Sequence, residues 1–194
     1  GKVYAISTTT VSANTSAAVT FDNAIPYYNK AVYDASNQKV VVVYSDTGDS
    51  NHGKVIIGTV SGSSITFGSP LAMTSDVNIS SVDIAYDSGG GRIIFAYKSE
   101  DAGNGQAQYG YVSGNSISYS GTTAFEADSL DNISVDYDPN VDKFLIAYRA
   151  YNHSYRGHCI VGYNNGGIPA FGSEFVFHSD QARNMKVLYH PGVQ

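Results

Sequence analysis

The stretch Val40-Val41-Val42-Val43-Tyr44 returns as Ile93-Ile94-Phe95-Ala96-Tyr97 and again as Phe144-Leu145-Ile146-Ala147-Tyr148. Each copy is continuously apolar, β-branched or aromatic, and bounded by turn residues. A run this short and this uniformly apolar predicts a strand buried on both faces. Around it the whole chain repeats. Tyr33, Tyr86, Tyr137 and Tyr189 are separated by 53, 51 and 52 residues. Asp34, Asp87, Asp138 and His190 follow them. Gly58, Gly110 and Gly162 keep the 52-residue spacing, as do Gly62, Gly114 and Gly166 and the aromatics Phe67, Tyr119 and Phe171. Met73, Phe125 and Phe177 continue the series, and Phe21 precedes Met73 by the same interval. So many coincidences at one offset establish an internal repeat.

One unit divides into four short strands, A to D. In the second full unit, strand A ends at Val82-Asp83-Ile84-Ala85-Tyr86-Asp87. The turn Ser88-Gly89-Gly90-Gly91 leads to strand B at Arg92 to Tyr97. A polar loop, Lys98 to Gly105, precedes strand C at Ala107 to Val112. Ser113-Gly114-Asn115 then returns the chain as strand D, Ser116 to Tyr119, with an extension toward Phe125. Gly and Asn at such turns supply the positive φ of a tight hairpin. A four-stranded meander with two apolar faces cannot bury both by itself. Units stacked face to face can, which predicts an all-β, β-propeller-like fold with one blade per repeat.

The expected organisation is a single propeller domain over 1–194. Residues 1–30 form a half blade (strands C and D, with an irregular turn from Thr8 to Ser16). Full blades follow at 31–82, 83–134 and 135–186, and 187–194 supplies one more strand A. Four whole units would be longer than the chain, and the deficit corresponds to one strand B with its loop. The open blade predicts self-association, strand addition or joining of rings, or a longer parent chain.

Composition narrows the function. The net charge of -6 and the lack of any basic run argue against nucleic acid as a partner. No apolar segment reaches the length of a membrane span, and no stretch reads as a signal peptide, as expected of a mature secreted chain. The lone Cys159 sits in a strand and reads as a buried structural thiol. The repeated Asp34, Asp87 and Asp138 read as side chains that bond turn backbone, because a catalytic carboxylate is ordinarily not copied once per blade. His52, His153, His158, His178 and His190 share no metal spacing, and no nucleophile elbow or phosphate loop appears. From these absences the expectation is a non-enzymatic chain with no metal and no cofactor.

The unit from Val32-Tyr33-Asp34 through Lys39 to Asp46 and on to Gly58-Thr59-Val60-Ser61-Gly62-Ser63-Ser64-Ile65-Thr66-Phe67-Gly68-Ser69-Pro70 resembles a tandem repeat of uncharacterised β-propeller proteins from environmental bacteria and their phages. The resemblance covers most of 31–190. It implies an extracellular, virion-associated or cell-surface protein and brings no catalytic residues with it.

Binding is expected in the variable B–C loops, at Asp49 and His52, at Asn104, and at Tyr151, His153 and Tyr155. Asp46, Asp49 and Asn51 lack the full Ca²⁺-loop pattern. Tyr151-Asn152-His153-Ser154-Tyr155 sets aromatic faces beside hydrogen-bonding groups, a mixture suited to a glycan or a cell-surface protein. Asn14, Asn78, Asn132 and Asn152 fit the N-glycosylation pattern. The expected role is a lectin-like or adhesin-like binding module. The alternative is a structural subunit of a fibre, virion or surface assembly.

Overall fold

The structure is a computed structural model that describes residues 4–6, 11–13, 18–23, 26–74 and 77–192. It is all-β and propeller-like, and among the described residues the one helical element is the 3-10 turn Thr47–Asp49. A two-stranded hairpin, β1 (Tyr4–Ile6) and β2 (Val11–Ala13), opens the chain. β2 lies inside the span Thr8 to Ser16 where an irregular turn is expected, and the rest of that span falls outside the described residues.

Three antiparallel sheets follow in sequence order. The first is β3 (Pro26–Asp34), β4 (Lys39–Asp46), β5 (His52–Ser61) and β6 (Ser64–Phe67), with β7 (Leu71–Ala72) also paired to β5. The second is β8 (Ile79–Asp87), β9 (Arg92–Ser99), β10 (Asn104–Ser113) and β11 (Ser116–Tyr119), with β12 (Thr123–Glu126) added on β10. The third is β13 (Leu130–Asp138), β14 (Lys143–Ala150), β15 (Arg156–Asn165) and the long β16 (Ile168–Gln181). Strand D is therefore two pieces in the first two blades and one in the third. The break in the second blade falls at Ser120–Thr122, where Ser120 Oγ accepts from Tyr109 N at 2.9 Å in place of the ladder.

The B strands carry the core on both faces, as their composition requires. On β9, Ile93, Phe95 and Tyr97 pack toward the first blade against Val41, Val43, Val55 and Ile57. Ile94 and Ala96, on the opposite face, join Val135, Phe144, Ile146 and Tyr148 of the third blade. The repeated glycines on strand C make room for these rings. A Cβ at Gly110 would lie 2.6 Å from Phe95 Cε2 and 2.8 Å from Ile117 Cδ1. Only glycine fits there without a shift of the ring. Phe21 closes the outer face of the first blade. Its ring meets Tyr44 edge-on at 5.3 Å, as Phe125 of the second blade meets Tyr148 of the third, also at 5.3 Å.

The repeated aspartates do what the turn chemistry predicts. Asp34 accepts from Asn37 N at 3.0 Å, Asp87 from Gly90 N at 2.8 Å and Asp138 from Asn140 N at 2.9 Å. Two of the repeated tyrosines reach back to the A–B turn of the preceding blade, while Tyr137 Oη donates to Asp142 in its own blade's turn at 2.8 Å. Tyr86 Oη bonds Ser36 Oγ at 2.7 Å, and Tyr189 Oη accepts from Asn140 Nδ2 at 2.7 Å.

Side chains stitch one inner strand to the next. Asp83 accepts from Ser134 Oγ and from Val135 N, each at 3.1 Å, and Ser81 Oγ accepts from Ile133 N at 3.1 Å. The same stitch continues one unit on: Ser134 Oγ accepts from Val187 N at 3.0 Å and Asp136 from Tyr189 N at 2.8 Å. Residues 187–190 thus follow the course of an inner strand but form no strand ladder, since no strand B stands beside them in the described structure. Val141, Val161 and Leu188 line the open groove there and stay exposed.

Candidate functional site

Each inner strand of the three blades, and the segment that follows the third, holds a residue with positive φ at one place: Tyr28 at 51°, Ser81 at 54°, Asn132 at 51° and Asn184 at 52°. These positions keep the intervals of the tyrosine series, each lying five positions before a member of it. In the three blades the strand register shifts at this point, the mark of a bulge. A non-glycine residue in this region costs on the order of 1–3 kcal/mol, and bulges re-aim side chains beside functional sites. All four residues line one cleft of about 580 Å³. It opens at the end of the inner strands nearest the B–C and D–A loops.

The cleft wall is polar and densely bonded. Asp131 takes Arg149 Nε at 2.6 Å, a second contact from Arg149 Nη2, Tyr151 Oη at 2.9 Å and Asn132 Nδ2 at 2.9 Å. Burial pulls the Asp131 pKa up, but the Arg149, Asn132 and Tyr151 hydrogen bonds outweigh it and hold the carboxyl below its ordinary value. Glu100 is bonded to Ser80 and paired with Lys98 at 3.0 Å. There too burial is overcome by these partners, and the carboxyl is held low. Tyr151 presents its ring with Arg149 at 5.5 Å and Lys98 at 6.0 Å from the centroid. Burial first, then Asp131, pushes the Tyr151 phenol up. Lys30 of β3 adds a further cation to the lining. Fixed cations, fixed carboxylates and one aromatic face suit a polyhydroxylated ligand. Its hydroxyls both donate and accept, and its C–H faces stack on a ring.

Of the residues expected from sequence, Tyr151 lies in the cleft. Tyr155 packs on it, ring centroids 5.3 Å apart, with Arg149 also over its ring. His153 does not line the cleft; its ring stands 4.8 Å from that of His158, deeper in the third blade. Asp49 and His52 form their own group on the first blade. Asp49 bonds Lys54 at 2.5 Å and His52 at 3.3 Å, and Lys54 chiefly holds its carboxyl low. Asn104 begins β10, where its Oδ1 is buried with no hydrogen-bond partner. Of the four Asn-X-Ser/Thr asparagines, Asn14 lies outside the described residues. Asn78 bridges to His52, with its N–H on Asp101 at 3.0 Å. Asn132 is one of the four left-handed residues that line the cleft, and Asn152 is exposed in the Tyr151 loop. The residues that sequence reasoning missed are Tyr28, Lys30, Ser81, Glu100, Asp131 and Asn184. The signal was the shared offset of 28, 81, 132 and 184, hidden because the side chains differ.

No family model matches this chain, and no curated protein does. Solved structures do. The chain is similar to exo-β-1,3-galactanase from Phanerochaete chrysosporium, a variant of which was solved with β-1,3-galactotriose. That likeness has a TM-score of 0.53 and 8% identity over 79% of this chain and 36% of the other. The same enzyme solved with galactose gives a TM-score of 0.52 at 7% identity over the same shares. The chain thus spans about a third of the length of the proteins it matches. The likeness carries the fold alone, an all-β, propeller-like arrangement. It gives no support to the specific tandem-repeat family that the sequence resembles. It also corrects the expectation of a non-enzymatic chain, because the matching structures are those of an enzyme. That expectation rested on missing linear motifs. In a propeller the groups at the axis come from different blades, each a whole repeat apart in sequence, so an active site there leaves no linear motif.

Proposed function

We propose that this protein is a carbohydrate-active β-propeller that takes a glycan into the cleft at the ends of its inner strands. The observation that carries this reading is the convergence of Tyr28, Ser81, Asn132 and Asn184, four left-handed positions at one place in the repeat, on that cleft. The Tyr151 face beside Lys98, Glu100 and Asp131 supplies the stacking and hydrogen-bonding groups that saccharide recognition needs. The solved structures of similar fold, with galactose or a β-1,3-linked galactotriose bound, make galactose-containing oligosaccharides the first ligands to try.

A second reading, cleavage of the bound glycosidic bond, is favoured by the two carboxylates Glu100 and Asp131 on one cleft. Glycoside hydrolysis uses a pair of carboxyl groups, one of them an acid. Both carboxyls here are held low by their partners, so both are ionised at neutral pH in the free protein. Seating a sugar over Glu100 would strip water from it and favour its protonated form. The experiment is calorimetric titration with β-1,3-galactotriose and a panel of other oligosaccharides, alongside reducing-end release. Wild type should bind at least one saccharide, and Tyr151→Ala should weaken that binding about tenfold or more while the fold is kept. No binding across the panel, or equal binding by Tyr151→Ala, sinks the glycan reading. Binding without any release, unaltered by Glu100→Gln, sinks only the hydrolytic one.

A further inference from the structure

Away from that cleft, where the second and third blades meet, Glu126 at the end of β12, His158 on β15 and Glu174 on β16 converge. One ligand-type atom from each side chain lies within 4.8 Å of the other two. His158 is 1% exposed, and its Nε2 is buried without a hydrogen-bond partner. Its Nδ1 contacts Glu174 Oε1, which also accepts from Tyr148 Oη at 3.0 Å. Glu126 accepts from Asp128 N at 3.0 Å. The ring of His153 stands beside that of His158, and Arg156, also on β15, sends its Nε to Ser179 O at 3.1 Å.

The cluster has more negative charge than its neighbours offset. Two carboxyl groups share the space with one imidazole, and the guanidinium of Arg156 on the same strand is turned to a backbone carbonyl. Charges gathered this closely and in part withdrawn from water favour a counter-charge. A buried ring nitrogen with no partner is equally unusual in a native fold. A single cation held by one ring nitrogen and two carboxylate oxygens would offset the charge.

We propose that Glu126, His158 and Glu174 form a binding site for one divalent metal ion of the zinc class. One imidazole and two carboxylates make a three-ligand set with room for a water at the remaining position. Imidazole as a ligand favours zinc over the hard cations Mg²⁺ and Ca²⁺, which take oxygens. Tyr148, bonded to Glu174, orients that carboxylate from outside the site. The Glu174 side chain is 35% exposed and gives the ion a path in. The site ties β12 of the second blade to β15 and β16 of the third, so occupancy should strengthen the junction.

The test is titration of the full chain, stripped with chelator, with ZnCl₂ alone. The expected result is uptake of one equivalent, with a rise in thermal midpoint that EDTA reverses. Co²⁺ in its place should give visible d–d absorption. Glu126→Gln and Glu174→Gln should each weaken uptake about tenfold or more. His158→Gln should abolish the absorption, and because His158 is buried the more exposed Glu174 variant keeps the test sound if that one misfolds. Cys159→Ser should leave uptake unchanged. No uptake by wild type, uptake unaffected by both glutamate variants, loss of uptake in Cys159→Ser, or preference for Ca²⁺ over Zn²⁺ would each overturn the proposal.

Discussion

Removal of the Asp83 carboxylate should cost far more than its single position implies. Asp83 lies on the inner strand β8 with its side chain 4% exposed. It accepts from Ile84 N at 3.0 Å and, across the blade junction, from Ser134 Oγ and Val135 N at 3.1 Å each. Lys186 Nζ, from the segment that follows the third blade, reaches the same oxygen at 3.2 Å. In Asp83→Ala the Val135 N–H and the Ser134 hydroxyl lose their acceptor, in residues only 2% and 1% exposed. A buried donor left unmet costs about 1–3 kcal/mol. The Lys186 pair adds under about 1 kcal/mol, because the lysine is largely exposed and its charge is screened. The expected loss is about 3–5 kcal/mol. Asp83→Asn keeps an acceptor oxygen and the shape, and should lose about 1–2 kcal/mol. Lys186→Ala should lose less than about 1 kcal/mol. Urea unfolding followed by near-UV circular dichroism reads all three on one scale. A loss below about 1 kcal/mol in Asp83→Ala, or a loss in Lys186→Ala equal to it, would show that the blades are not joined by this carboxylate.

Three further outcomes are expected. The Phe95 ring is fully buried against Gly110 and stands edge-on to Tyr119 at 5.7 Å. Phe95→Ala should therefore destabilise by about 3–5 kcal/mol in the same assay, whereas Asn152→Ala in its exposed polar loop should change little. Gly110→Ala should also destabilise, since its new methyl group meets the Phe95 ring; an unchanged midpoint would mean that this ring is not packed on strand C. Asp131 has a folded pKa below its ordinary 3.8, so its contribution is present above that value and lost as pH falls through the lower folded value. Asp131→Asn should be less stable than wild type near neutral pH and converge with it in acid, and a gap that widens on acidification would contradict the assignment.

The repeat was legible because packing between blades imposes the same demand at the same place in each unit. Phe95 and Phe144 need a glycine opposite, so Gly110 and Gly162 recur; the A–B turn needs an acceptor, so Asp34, Asp87 and Asp138 recur. Such demands select residue types, and residue types are what a sequence displays. The split of strand D was not legible, because Ser120 Oγ replaces a ladder bond in the second blade and no residue pattern marks that exchange.

The cleft followed a different logic. The demand there is on backbone conformation, and Tyr28, Ser81, Asn132 and Asn184 meet it with different residue types. Asparagine tolerates this region well, serine and tyrosine less so, and a propensity argument alone would pass over both. The spacing nevertheless carries the information, since each such position lies at one fixed distance before a member of the tyrosine series. A scaffold that holds four strained positions around one opening keeps them by the packing of the units behind it. Relief of one should therefore separate stability from function. Asn184 makes the cleanest case, because its segment has no ladder to defend. Its backbone is left-handed, at φ 52°. Asn184→Gly relieves that conformation and should leave stability within about 0.5 kcal/mol of wild type. If the cleft is the glycan site, the same change should still weaken saccharide binding, since it deletes a lining side chain and loosens the backbone that places Met185. Equal binding by Asn184→Gly and Tyr151→Ala alike would leave the convergence of the four left-handed positions as architecture alone, with the site to be sought elsewhere.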